Sequence, residues 1–197
     1  LFSYRFYVNN KEKNFITLIA SSFANKVTVD ELRKNPDAFK TGGEKKHITA
    51  LFSDIQKFST FSEKMDMLYG AEGPNKLIKV LNEYLGAMSN VILRNNGTID
   101  KYEGDAIIAF FFSSATVENH QLKALTAALE CQKRLEEMQA VYTYRLGSPV
   151  YMRIGINSGE AVVGNLGSRE RFDYTMIGDS VNLASRLEGL NKEFGTY

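Results

Sequence analysis

The hydrophobic pattern of this chain changes at His47. From there HITALFSD runs almost unbroken in apolar character and closes on Asp54, which predicts a mostly buried strand. Leu77, Leu81, Tyr84, Met88 and Val91 recur at helical spacing, so an amphipathic helix is expected over about 74–94. Asn95-Asn96-Gly97 carries the residue types that close a helix. GTIDKYEGDAIIAFFF reads as a hairpin turning at Tyr102–Asp105. Leu122, Leu125, Leu129, Leu135 and Met138 mark a second long helix, about 118–140. VYMRIGIN is a strand, and Gly159 marks a turn into another, EAVVGNLG. RFDYTMIGD is a strand leading into a short helix, SVNLASRLEGL. This order predicts an α/β or α+β sheet with helices packed on one face.

No strand pattern precedes His47. Phe15, Ile16, Ile19 and Phe23 form a helical stripe that Asn35-Pro36 and Gly42-Gly43 interrupt. Residues 1–46 therefore read as a helical lead-in, and residues 47–197 as the body.

Composition narrows the class. The 197 residues are 44% hydrophobic and 24% charged, enough to bury a core without disulfides or a structural metal. One cysteine excludes an intramolecular disulfide framework and a cysteine-built zinc site, and a reducing compartment is expected. Cys131 itself, mid-helix, reads as a small buried hydrophobe. The lead-in holds nine Lys/Arg against five Asp/Glu, the body fifteen against eighteen. A body with an acidic excess is not a general nucleic-acid binder. The basic flank suits either a solvated helix or a cytoplasmic segment following a membrane span. No apolar run approaches the roughly 18 residues that a membrane helix needs.

Two features carry chemistry. Asp54 closes the first strand and Asp105 sits at the hairpin turn. On neighbouring strands they would meet at one sheet edge and form a hard oxygen site suited to Mg²⁺ or Mn²⁺. Near the carboxy end, Asn182 and Arg186 are four apart and share a helix face, a pairing suited to a sugar and a phosphate. Each also has an ordinary structural reading, as chance carboxylates at strand ends and as a solvated helix face. His47 and His120 lack the spacing of a ligand pair and read as structural.

Together the segments become specific. LFSDIQKFS, GTIDKYEGDAIIAFF, MRIGINSGEAVVGNLGS and RFDYTMIGDSVNLASRLE resemble, in order and spacing, the signature blocks of class III nucleotidyl cyclases over about residues 47–197. The segment ITLIASSFANKVTVDELRKNPDAFKTGGEKK is similar to the transducing helices of bacterial receptor-type adenylate cyclases.

The resemblance implies a ferredoxin-like βαββαβ sheet. It also implies conversion of ATP to 3′,5′-cyclic AMP and pyrophosphate, with two Mg²⁺ or Mn²⁺ ions held by Asp54, Asp105 and the carbonyl of Ile55. Arg186 matches the arginine that stabilises the α-phosphate, and Asn182 the residue that positions the ribose. Arg169 matches a phosphate-binding arginine, a role that Arg171 could equally fill. Lys101 and Thr175 occupy the base-reading positions. A lysine donates to adenine N1 and a threonine hydroxyl can accept from the exocyclic amine, whereas guanine presents the reverse pattern. Relatives selecting GTP typically carry Glu and Cys there.

Further implications are a head-to-tail homodimer with shared sites, and a cytoplasmic catalytic domain in a membrane-anchored parent with an upstream sensor. A closing two-strand portion, with a further phosphate-binding lysine, would lie beyond Tyr197. The alternatives are a guanylate cyclase, or a degenerate cyclase-like module that only dimerises or senses nucleotides.

Overall fold

The computed structural model describes residues 42–113, 119–168 and 172–197. The chain divides into a larger unit, Lys45–Val162 with Met176–Tyr197, and a smaller one, Leu1–Glu44 with Val163–Thr175. The strands are β1 (Gly42–Ile55), β2 (Thr98–Glu103), β3 (Ala106–Phe112), β4 (Met152–Gly167) and β5 (Phe172–Ile177). The helices are α1 (Phe58–Tyr69), α2 (Gly73–Arg94), α3 (His120–Leu146) and α4 (Asp179–Phe194). The sheet order is β2-β3-β1-β4-β5, and β3 pairs antiparallel with both β1 and β2. The first four strands with their intervening helices follow the expected βαββαβ order.

In the larger unit, strand alternation sorts the residues of β1, β3 and β4 between two faces. Leu51, Ile107, Ala109, Phe111 and Met152 face a core completed by α1, α2 and α3. Each fully buried aliphatic side chain there contributes about 1.5–3 kcal/mol. The fourth helix lies on the opposite face. A Cβ on Gly155 would come within 2.2 Å of the Glu188 nitrogen and 2.3 Å of the Ala184 carbonyl oxygen, so only glycine lets the α4 backbone approach β4 there. The sheet of this unit thus carries three helices on one face and a fourth across the other.

Several local predictions change. The first strand begins at Gly42, ahead of the apolar run. Helix α1 had no sequence signal at its start: Lys57 precedes it in a left-handed conformation (φ 59) and makes no side-chain cap. It is held instead by burial of Phe61 and Met65, four apart on one face. Gly159 makes no turn, and β4 runs straight through it. Glycine is needed because a Cβ would lie 2.7 Å from the Ser180 Cβ at the start of α4. The last helix is also longer than its predicted core.

Helix α3 exists as predicted, but its leucine stripe does not mark its buried side. Leu122, Leu125 and Leu129 are exposed, while Ala124, Ala127, Ala128 and Cys131 are buried, joined lower down by Leu135. Small residues let the helix settle close to its neighbours. Cys131 is the buried hydrophobe expected, and burial pushes its thiol up to about 12. No helix among the described residues is long and apolar enough to cross a membrane.

Candidate active site

Asp54 and Asp105 meet because β1 and β3 are neighbours. The register pairs Ser53 with Ile107, which places the end of β1 beside the β2–β3 turn. That turn is the two-residue Gly104–Asp105 loop between the paired Glu103 and Ala106. Gly104 takes φ 63, which is why the position suits glycine. Asp105 Oδ2 accepts from the Ile55 backbone N–H at 3.0 Å, and its carboxyl also hydrogen-bonds that of Asp54. Burial, then the hydrogen bond with Asp54 and the Asp54 charge, push Asp105 up to about 7 against the opposing pull of the Ile55 N–H. A divalent cation between the two carboxyls would compete with the proton that Asp105 holds more tightly than an ordinary carboxylate. Among the described residues no third His, Cys, Asp or Glu joins a metal cluster. Two carboxylates fit a hard ion that completes its shell with carbonyl, water and phosphate oxygens.

Pattern reading missed the counter-charge to this pair. Arg153 on β4 is 4% exposed. Its Nη2 donates to Asp54 Oδ2, and its Nε donates to Glu188 Oε1 on α4 at 2.7 Å. The close approach of α4 at Gly155 puts Glu188 in reach. The available signal was a lone charged residue inside the strand VYMRIGIN, where a buried arginine requires partners. A cavity of about 890 Å³ opens over the site, lined by Asp54, Asp105, Arg153, Lys57, Ser59 and Lys192 among others.

A family model described as the adenylate and guanylate cyclase catalytic domain matches residues 42–193. The chain belongs to that family. Adenylate cyclase 1 of Rhizobium meliloti (strain 1021) is 36% identical over 179 residues, covering 89% of this chain and 26% of that protein. Among solved structures, the guanylyl cyclase Cya2 is 40% identical with a TM-score of 0.66, covering 76% of this chain and 72% of that one. The adenylyl cyclase CyaB from P. aeruginosa is 36% identical with a TM-score of 0.67, covering 75% and 74%. The chain spans about a quarter of the length of the curated relatives it matches.

The cyclase domain distributes the remaining predicted residues as follows. Ile55 is buried and lines the same cavity as the two aspartates. Asn182 and Arg186 lie one turn apart on the exposed side of α4, opposite the buried Val181 and Ala184. Lys101 is half-buried on β2, its Nζ 3.7 Å from Asp100 Oδ1. None of Lys101, Asn182 and Arg186 lines the carboxylate cavity. Thr175 is buried on β5 and belongs to the smaller unit. Arg169 and Arg171 lie outside the described residues.

Proposed function

We propose that this cyclase domain converts ATP to 3′,5′-cyclic AMP and pyrophosphate at sites shared by two copies in a head-to-tail homodimer. One observation carries the reading. The carboxylate pair opens into a cavity of its own, while Asn182 and Arg186 stand exposed elsewhere on the surface, so each set needs a complement that its own cavity does not supply.

Asp54 and Asp105 would hold two Mg²⁺ or Mn²⁺ ions, with the Ile55 carbonyl assisting. Bound there, the ions supply Lewis acidity toward the 3′-hydroxyl and charge neutralisation for the phosphates. The ribose 3′-oxygen forms a bond to the α-phosphorus as the bond to the bridging oxygen breaks and pyrophosphate leaves. Arg153 fixes Asp54 against β4 and presents a buried positive charge beside the site. Lys192 lines the same cavity and suits terminal phosphates. From the other copy, Asn182 positions the ribose and Arg186 meets charge developing on the α-phosphate. Lys101 donates to adenine N1 and Thr175 accepts from the amine. Arg169 contributes a further phosphate contact. Catalysis is positioning plus electrostatics.

Residues 1–46 act as the lead-in from a membrane-anchored parent with an upstream sensor, leaving this domain in the cytoplasm. That context is supported by the basic balance of the segment and by relatives several times longer than the chain.

The test is complementation with Mn²⁺ and ATP. Asp54→Ala and Arg186→Ala should each be inactive alone and regain activity when mixed, one intact site forming per heterodimer. No recovery on mixing would sink the shared-site reading. A guanylate cyclase reading has one observation in its favour, the 40% identity to the guanylyl cyclase Cya2. Equal rates with GTP and ATP would remove the role assigned to Lys101 and Thr175.

A further inference from the structure

The chain has only two histidines, and the fold brings them together across 73 residues of sequence. His47 Nδ1 lies 3.2 Å from His120 Nε2, with the rings edge-on and their centroids 5.3 Å apart. His120 opens α3 directly after its cap residue Asn119 and is 4% exposed. Its other nitrogen, Nδ1, is 2.7 Å from Thr49 Oγ1, which is 2.7 Å from Ser158 Oγ. His47 is exposed.

We propose that His47 and His120 form a site for a borderline transition cation, Zn²⁺ or Cu²⁺, that clips β1 to the start of α3. The site follows from the placement of the two imidazoles and is independent of the cyclase reaction. Two imidazole nitrogens on one tetrahedral zinc, at about 2.05 Å each, stand roughly 3.3 Å apart. The observed 3.2 Å separation already meets that requirement, so a small turn of the rings suffices.

The surroundings prepare the nitrogens. If His120 Nδ1–H donates to Thr49, and the Thr49 hydroxyl donates to Ser158, the His120 Nε2 lone pair is fixed toward His47. An acceptor for the second ring N–H is the usual means of holding a ligating histidine in one tautomer and orientation, and here a hydroxyl takes the place of the commoner carboxylate, carbonyl or water. Burial, and to a lesser degree the His47 charge, lower the His120 pKa and favour the neutral, ligating form. With that tautomer, His47 Nδ1–H donates to the same lone pair in the metal-free protein. On binding, His47 carries its proton on Nε2 instead, so the exchange is a tautomer change with no net proton release. The exposed His47 gives the ion its way in.

Nitrogen donors suit zinc and copper, whereas Mg²⁺ and Mn²⁺ prefer oxygen. The pair is also remote from the carboxylates: seven residues of extended β1 separate His47 from Asp54, roughly 23 Å. Among the described residues no third His, Cys, Asp or Glu completes a cluster, and the nearby Glu160 is engaged by Lys45 at 2.6 Å. Water completes the shell, so the site is exchangeable rather than a permanent structural centre.

Zn²⁺ alone is the probe, added to the whole chain in excess Mg²⁺ so that the carboxylate site is occupied. Equilibrium dialysis should find one Zn²⁺ per chain, and melting should show a zinc-dependent rise in Tm. His47→Gln and His120→Gln should each weaken binding at least about tenfold and abolish that rise. The Asp54→Asn/Asp105→Asn double variant should keep both. Because His47 is exposed, its variant is expected to fold, and its melt without zinc checks this. Zinc bound as tightly by folded His47→Gln as by wild type would overturn the proposal, and so would loss of zinc binding in the double aspartate variant only.

Discussion

At one end of β1, Asp54 meets Asp105 from the β2–β3 turn. Nearer the middle of β1, His47 meets His120 from the start of α3. Both are pairs of like groups, contributed by β1 and a distant element. Alternation along the strand sends them to different faces: His47 and Thr49 lie on the side of Leu51 and the helices, Asp54 on the other. The acids respond by holding a proton, with Asp105 raised to about 7 by burial and by Asp54. The imidazoles respond by excluding one, with His120 lowered by burial and then by His47. The acid pair has a buried guanidinium and an open cavity. The imidazole pair has two neutral hydroxyls and one exposed ring. The same electrostatic conflict therefore underlies the two proposed sites, one for hard ions and one for nitrogen-seeking ions.

The two pairs differ most in their dependence on a counter-charge, which Arg153 supplies to the acids. Arg153→Met leaves Asp54 and Glu188 beside each other without their shared cation. It should cost about 3 kcal/mol in urea unfolding and most of the cyclase activity. A variant of near wild-type stability would mean that the guanidinium does not compensate the acid pair. The counterpart at the histidine pair is smaller. Thr49→Val removes a hydroxyl that partners both His120 and Ser158, and should cost about 1–2 kcal/mol in the same measurement.

The smallest effect is a pair of opposing slopes in the metal-free protein. Asp105 binds its proton more tightly folded than unfolded, so its contribution favours the fold in acid and fades as pH rises from about 4 toward about 7. His120 does the reverse: its contribution is complete above its ordinary value near 6.5 and is lost as pH falls below it. Melting curves between about pH 4 and about pH 8 should show the acid-side gain removed by Asp105→Asn and the acid-side loss removed by His120→Gln. Mg²⁺ should raise Tm more at about pH 8 than at about pH 5, because at the lower pH it must displace the proton that Asp105 still holds.

Much of this was legible in the chain. The alternation and run length of HITALFSD, the helical spacing from Leu77 to Val91 and the apolar run Ala106–Phe112 located three elements, because a single buried face writes itself into the local period. Glycine misled once. Gly159 reads as a turn but serves close approach. In Asn95-Asn96-Gly97 the left-handed residue is Asn96 (φ 64), and Gly97 is small because a Cβ would lie 2.6 Å from Ile92 Cγ2 and 2.7 Å from Phe111 Cζ. The leucines of α3 misled for another reason: burial there follows side-chain size, and alanines admit the closer contact. Helix α1 carried no capping residue to announce it.

By itself the sequence determined the family, most of the element order apart from α1 and the unbroken β4, and the places of Asp54 at a strand end and Asp105 at the hairpin turn. These are local or ordered along the chain: a period, a turn signature, a series of blocks. Only the tertiary structure decided that Arg153 lies between Asp54 and Glu188, and that the two histidines face each other. Both facts depend on strand order and on a helix crossing at Gly155. A side chain's partner across 35 to 99 residues of sequence is fixed by packing, which no local pattern records.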